Sequence, residues 1–275
     1  MTSSNALADA YLELMKQALT GSLYDQSRWK IVDKQPGKPT LKSLYKAMTG
    51  APAAPAMLTI NPNAYTPDEV HDGKIWTMFG LTMIGHKRLD NVQWCIEQVL
   101  SQNIPGDLVE TGVWKGGCVI FMRAVLKAHG IADRQVWAAD SFEGLPVPVD
   151  AEDGTDLSKV EELKVSLEQV QDHFRRFDLL DDQVRFLKGW FADTLPTAPI
   201  EKIAVLRLDG DLYSSTMDAL RSLYHKVSRG GFVIVDDYYS WESCRRAVHD
   251  FAKSKGFTPD IKPVDWTGAY WQVER

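Results

Sequence analysis

Two short stretches place carboxylates where apolar runs stop. In RLDGDLYSSTMDAL (207–220), Asp209 and Asp211 stand one glycine apart as IAVLRL gives way to a helical pattern. In GGFVIVDDYY (230–239), Asp236 and Asp237 follow GFVIV in the same way. Both pairs are expected at the carboxyl ends of strands on one rim of a sheet, and parallel neighbours about 4.8 Å apart allow a shared cluster. Four converging anions repel one another unless a cation sits among them. Oxygen ligands without a nearby His or Cys select a hard ion such as Mg²⁺ over zinc. One Asp at a strand end is ordinarily a turn former or helix cap; four on two strand ends favour a metal site. The D-x-D spacing also occurs in metal-dependent glycosyltransferases, a reading that the next motif disfavours.

LVETGVWKGGCVIFMRAVL (108–126) reads as a strand, a glycine-bearing turn and a helix, an arrangement suited to an anionic or nucleotide ligand at a helix N-terminus. Its glycines, Gly112, Gly116 and Gly117, do not make the G-x-G-x-x-G of a dinucleotide fold, which disfavours an NAD enzyme. Glu110, just ahead of the turn, suits a cationic amine. Asp140, ending the next apolar run QVWAAD, is placed to accept both hydroxyls of a ribose. Acid, glycine turn and second acid together describe how S-adenosyl-L-methionine is held. The bland alternatives are close strand–helix packing for the glycines and a helix cap for Asp140.

These blocks, with DSFEGLP (140–146), VRFLKGWFADTLP (184–196) and the upstream TMIGHKRLDNVQWCIEQVL (82–100), resemble the signature blocks of the macrocin O-methyltransferase family. That family methylates sugar hydroxyls on natural products, and the resemblance covers roughly residues 75 to 256. It implies a doubly wound class I methyltransferase fold, S-adenosyl-L-methionine as methyl donor, and Mg²⁺. Carried over by position, Glu110, Gly112, Asp140 and Ser141 hold the methionine and ribose parts. Gly189 and Trp190 then lie near the adenine, and Thr82 and Met83 close over the methionine end. The resemblance likewise gives Asp209, Asp236 and Asp237 to the metal and Asp211 to the general base, although spacing within DGD leaves open which of Asp209 and Asp211 does which. The need for a metal is chemical: an alcohol resembles water, with a pKa of about 15.7, and is a poor nucleophile until a metal acidifies it and a base takes its proton. Two acceptor oxygens on one metal would also fix a vicinal diol.

The elements that must position these residues follow from hydrophobic period. Apolar runs at 107–111, 135–140, 184–189, 203–210 and 231–237 alternate with helical patterns at 117–129, 160–177, 214–226 and 241–255, after a helix carrying Leu89, Val92, Ile96, Val99 and Leu100. Such alternation calls for a mostly parallel α/β sheet with helices on both faces. The tail, FTPDIKPVDWTGAYWQVER, reads as two strands joined by a turn, giving an antiparallel edge strand. Residues 76–275 form the expected methyltransferase domain. Residues 1–75, with one helix near 5–19 and then Pro-, Ala- and Gly-rich sequence, form an N-terminal extension expected to serve acceptor binding and a homodimer or higher assembly. The acidic, turn-rich loop 147–159 reads either as a solvated loop or as a mobile lid, and its place after a strand end, where ligands bind in open α/β sheets, favours the lid.

At 275 residues the chain suits one large core plus an extension, since single cores stop growing at roughly 250 to 300 residues. Its 31 basic and 37 acidic residues leave a net charge of -6 with no Lys/Arg-rich block, which disfavours a nucleic-acid partner. No apolar run reaches the roughly 18 residues of a membrane span. Three scattered cysteines, Cys95, Cys118 and Cys244, show no C-x-x-C pairing and fit a reducing cytoplasm. Among the histidines, His225 and His249 fall on helices and His129 near a helix end, while His86, beside Lys87 and Arg88, is placed for a substrate or carboxylate contact. Trp114, Trp190 and Trp241 near the rim suit stacking on sugar or adenine, or plain packing. The expected function is methylation of a small-molecule glycoside. The alternatives are the same chemistry on a phenol or catechol, and a cofactor-binding scaffold, against which the four retained aspartates speak.

Overall fold

The computed structural model of the protein describes residues 3–23, 29–32, 57–60, 66–75, 77, 79–149, 153 and 155–274. The chain begins with α1 (Ser3–Thr20), a small antiparallel pair β1 (Trp29–Val32) and β2 (Met57–Ile60), then α2 (Pro67–His71) and α3 (His86–Ser101). Strands and helices then alternate: β3 (Asp107–Thr111), α4 (Gly117–Ala128), β4 (Val136–Asp140), α5 (Leu167–Arg176), β5 (Val184–Lys188) and the single turn α6 (Phe191–Thr194). They are followed by β6 (Ile203–Leu208), α7 (Tyr213–Leu223), β7 (Val227–Val235), α8 (Glu242–Lys255), β8 (Lys262–Pro263) and β9 (Ala269–Gln272).

Seven strands form one sheet in the order β5-β4-β3-β6-β7-β9-β8. The first five are parallel, and β9 enters antiparallel beside β7 with Phe232 opposite Gln272 and Val235 opposite Ala269. This is the doubly wound, mostly parallel sheet with an antiparallel strand towards its edge that the alternation of runs predicts. All six residues of β6 are buried, as expected where helices cover both faces. One core layer joins Leu108, Val136 and Val205 to α1, α3, α4 and α5; the other joins Val109, Leu206 and Val233 to α7 and α8.

Several boundaries differ from the sequence reading. The helix expected over 160–177 starts only at Leu167, where Ser166 and Gln169 form a capping box; a short 3-10 turn, Glu161–Leu163, precedes it. The strand expected at 231–237 begins earlier, at Val227, and stops at Val235, so Asp236 and Asp237 lie just beyond it. The extension also holds more regular structure than its Pro- and Gly-rich sequence suggests, namely β1, β2 and α2. Its helix α1 buries Leu12, Met15 and Leu19 in the main core of this chain and pairs Lys16 with Asp90 of α3, while Leu7 and Leu14 face outward. The remainder of the extension, residues 1–2, 24–28, 33–56 and 61–65, lies outside the described residues.

Candidate active site

The strand order reverses between β3 and β6, and ligands in such sheets bind at that crevice. A cavity of about 680 Å³ opens there. Thr82, Met83, Glu110, Gly112, Asp140, Ser141, Trp190 and all four aspartates of the two strand ends border it. Gly189 lies just behind: its φ of 138° lets the chain turn after β5, and its N–H donates to the Asp140 carbonyl at 2.9 Å. The sequence-predicted residues are thus brought to one place.

Asp209, Asp236 and Asp237 each offer an oxygen within 4.8 Å of the others. Asp209 N donates to Thr111 O and Asp236 N to Leu208 O, both at 2.9 Å, so each aspartate is the first residue past a hydrogen-bonded strand end. Asp211 takes a left-handed backbone conformation, φ 57°, and Ser243 Oγ donates to its carbonyl at 3.2 Å. A non-glycine residue in that region is strained, and such strain persists where the surroundings fix it. The electrostatics separate the group. Burial, reinforced by Asp209 and Asp236, pushes the Asp211 carboxyl up to about 7. Burial and then Asp211 hold Asp237 well above the usual range. Asp236 is instead held low, because Arg207 and Arg88 overcome the effect of its burial.

These residues fit a divalent cation. Asp237 Oδ2 is buried without a hydrogen-bond partner among the described residues. Both oxygens of Asp236 accept from guanidiniums, Oδ1 from Arg207 and Oδ2 from Arg88, yet each carboxylate oxygen has a second lone pair. Five acids, Glu110, Asp209, Asp211, Asp236 and Asp237, face two arginines, and the donor set contains only oxygen.

Across Arg207 from this cluster, Glu110 Oε1 accepts from Arg207 Nη1 at 2.5 Å, whereas Oε2 is buried with no hydrogen-bond partner among the described residues. Burial, against the opposing pull of Arg207, raises this carboxyl to about 7. An ammonium is the group such an oxygen lacks. Asp140 Oδ2 accepts from Val113 N and Oδ1 from Phe142 N, both at 2.7 Å, so it shapes the first loop and keeps acceptor capacity towards the cavity. Close backbone approach builds the rest. Gly117 N donates to Leu81 O at 2.9 Å, and a Cβ there would meet that oxygen at 2.5 Å, which seats Thr82 and Met83 over the start of α4. Trp114, also left-handed at φ 47°, is anchored by its indole N–H to Glu162 O at 2.8 Å.

Three residues at the site escaped the sequence reading. Arg207 is 1% exposed and lies opposite Glu110 in the β3–β6 register. Its signal was available: a cation inside IAVLRL, a run otherwise apolar on both faces, demands buried acids. Asp153, equally buried, accepts from Ser214 N at 2.7 Å and Val149 N at 3.0 Å, tying Val149 to the start of α7. Trp266 borders the cavity half-exposed, its indole N–H donating to Asp72 O at 2.9 Å. His86, by contrast, does not border the cavity. It is held by Thr20 and Ser22 and stacks on His71, and its neighbour Arg88 makes the carboxylate contact instead. His129 pairs with Glu97, and His249 with the hydroxyl of Tyr238.

Known proteins resemble this chain in sequence and in fold. The 8-demethyl-8-(2,3-dimethoxy-alpha-L-rhamnosyl)-tetracenomycin-C 4'-O-methyltransferase of Streptomyces olivaceus is 47% identical over 274 residues, 96% of this chain and 92% of its own. The mycinamicin III 3''-O-methyltransferase of Micromonospora griseorubida is 47% identical over 220 residues, 78% of this chain and 86% of its own. The solved structure of the O-methyltransferase NovP superposes with a TM-score of 0.82 at 43% identity, covering 98% of this chain and 100% of that one. The family described as macrocin-O-methyltransferase (TylF) matches residues 8–273, which extends the resemblance through both the N-terminal helix and the final strand. On that match the chain belongs to the macrocin-O-methyltransferase family, and its reaction is methyl transfer to oxygen.

Proposed function

We propose that the protein methylates a sugar hydroxyl of a glycosylated, antibiotic-type natural product, using S-adenosyl-L-methionine as donor and Mg²⁺ at the aspartate cluster. The observation that carries this reading is one cavity bordered by a buried acid, Glu110, whose Oε2 has no hydrogen-bond partner among the described residues, and by Asp209, Asp236 and Asp237 gathered beside it across Arg207. The donor supplies a methyl on a sulfonium that needs no further activation. The metal, held by Asp209, Asp236 and Asp237, would lower the pKa of a coordinated hydroxyl.

The chain's own residues do the rest. Glu110 Oε2 takes the donor's ammonium, Asp140 its ribose, and Thr82 and Met83 cover the methionine end. Asp211 accepts the acceptor's hydroxyl proton; its burial disfavours the charged carboxylate and makes it a stronger base than an exposed aspartate. Around Asp236 and Asp237 the cavity is walled by Gly73, Ser240, Trp241, Trp266 and Thr267. Trp266 N–H to Asp72 O and Tyr239 N–H to Thr267 O, 2.8 Å, hold these segments together. A fixed, half-exposed indole beside metal-binding acids is a platform for a sugar ring.

Two relatives that are 47% identical are named for methylation at primed positions, 4' and 3'', and the first name carries a rhamnosyl group, which favours a glycoside over a free phenol or catechol. Leu7 and Leu14, exposed on α1, are available to a second copy of the chain, and we expect a homodimer or higher assembly. Three free, buried cysteines suit a reducing cytoplasm, and no helix among the described residues is long and apolar enough to cross a membrane.

The test is turnover with S-adenosyl-L-methionine, Mg²⁺ and a rhamnosylated tetracenomycin, read as a methylated product by mass. We expect methylation on the sugar, lost in EDTA and restored by Mg²⁺. Methylation of a free catechol in preference to the glycoside would replace the glycoside reading. Full activity in EDTA would remove the metal.

A further inference from the structure

Glu110 and Arg207 are partner residues on neighbouring strands, and the Arg207 guanidinium reaches in two directions at once. Its Nη1 lies 2.5 Å from Glu110 Oε1 and 2.7 Å from Asp209 Oδ2, while Nη2 donates to Asp236 Oδ1. A single buried cation therefore touches the acid proposed for the donor's ammonium and two of the acids proposed for the metal. The guanidinium is planar and rigid, so hydrogen bonds to its three partners cannot be adjusted independently. A divalent ion arriving at Asp209 and Asp236 draws on the carboxylates that Arg207 neutralises. An ammonium arriving at Glu110 draws on the third.

We infer that Arg207 is a positioning residue that couples the donor pocket to the metal cluster, so that occupancy of either changes the affinity of the other. This rests on the proposed function for the identity of both ligands. Linkage makes the effect reciprocal, and couplings of this kind are typically about 5- to 150-fold in affinity. Arg88 is the natural contrast: it touches Asp236 and lies 3.0 Å from Asp265, and it makes no hydrogen bond or ion pair with Glu110 among the described residues. Lysine at 207 would keep the charge but, as a compact point charge on a flexible stem, would not bridge three carboxylates in fixed geometry.

The experiment is calorimetric titration of S-adenosylhomocysteine, which carries the same ammonium, into the full-length protein in EDTA and again in saturating Mg²⁺. For the unaltered protein the two Kd values should differ by roughly fivefold or more. In Arg207→Lys they should coincide, whereas in Arg88→Lys the difference should persist. Persistence of the full difference in Arg207→Lys, or no difference in the unaltered protein, overturns the coupling. Should Arg207→Lys fail to fold, the unaltered protein decides by nitrogen-15 NMR of its arginine side chains. The Arg207 Nε–H resonance should move with Mg²⁺ alone and with S-adenosylhomocysteine alone, and a response to only one of them overturns the proposal. Failure of the underlying reading looks different. No binding of S-adenosylhomocysteine in either buffer removes the donor site, and no binding of Mg²⁺ alone or with S-adenosylhomocysteine removes the metal; the coupling falls with either.

Discussion

A Cβ placed on Gly112 would stand 1.7 Å from the main-chain oxygen of Asp209. The residue that turns the chain after β3 is thus in direct contact with the first residue past β6, and that contact sets the spacing between the donor loop and the metal acids. Gly112→Ala must both hold alanine at φ 86° and part the two strand ends. The first effect costs roughly 1–2 kcal/mol and the overpacking roughly 1–3 kcal/mol more. Gly130 separates the two effects: its φ is 66°, but nothing lies within 4 Å of the site of its Cβ. Urea unfolding should show Gly130→Ala losing only the conformational cost and Gly112→Ala losing clearly more, with weaker S-adenosylhomocysteine binding. Equal losses would mean that the close approach does not matter.

The aspartates should fall into two phenotypes. Asp211→Asn is expected to bind Mg²⁺ and donor nearly normally while turnover drops by roughly 10²- to 10⁴-fold, the usual contribution of a general base. Asp236→Asn and Asp237→Asn are expected to raise the Mg²⁺ concentration needed for activity, with excess metal recovering part of the rate. Should Asp209→Asn show the metal-independent defect and Asp211→Asn the metal-dependent one, the roles within DGD are exchanged and the site stands.

Much of this was legible because it is local. IAVLRL and GFVIV announce buried strands by composition, and an aspartate directly after such a run must emerge at the rim; the sheet's parallel order then gathers both pairs. Glu110 and Asp140 were legible for the same reason. What the chain brings together over long separations was not. Asp153 looks like one more acid in a solvated loop, and nothing near it in sequence tells that Ser214 is waiting for an acceptor. Arg88 meets Asp236 across 148 residues. The helix expected from residue 160 failed on a local signal, since Ser166 with Gln169 marks the true start more specifically than the apolar period does.

Stability should depend on pH through Asp181 in a defined direction. Arg123, buried on α4, donates Nε to Asp181 Oδ1 at 3.0 Å and Nη2 to Oδ2 at 2.6 Å, and this hydrogen bonding lowers the carboxyl's pKa. A folded-state value below the unfolded one, about 3.9, means that the contribution is fully present above that pH and lost as pH falls through the folded value. Because the carboxylate is partly open to water, the pair is worth at most about 1 kcal/mol, or roughly 2–4 °C in Tm. Asp181→Asn should melt lower than the unaltered protein at neutral pH, and the two curves should converge below about pH 3.9. A gap that stays constant into strong acid would show that the ion pair is not its source.

Asp153 offers a test of how Val149, which borders the cavity, is held there. Leu212, the N-cap of α7, has no side chain able to accept the helix's first N–H groups. Asp153 does so from outside, taking the Ser214 N–H on Oδ1 while Oδ2 holds Val149 N–H. A carboxylate there meets both the orphan donors and the positive end of the helix. Asp153→Ala removes both bonds and should cost about 0.5–2 kcal/mol, the range of an ordinary N-cap loss. Because the loop's Val147, Val149, Leu157 and Val160 border the cavity, the effect should also reach the ligand. We expect faster proteolysis within 147–160 and weaker S-adenosylhomocysteine binding. Asp153→Asn, which keeps one acceptor oxygen, should fall between the alanine variant and the unaltered protein. If Asp153→Ala lost stability with no change in loop cleavage or ligand affinity, the aspartate would serve α7 alone, and the loop would be held by other contacts.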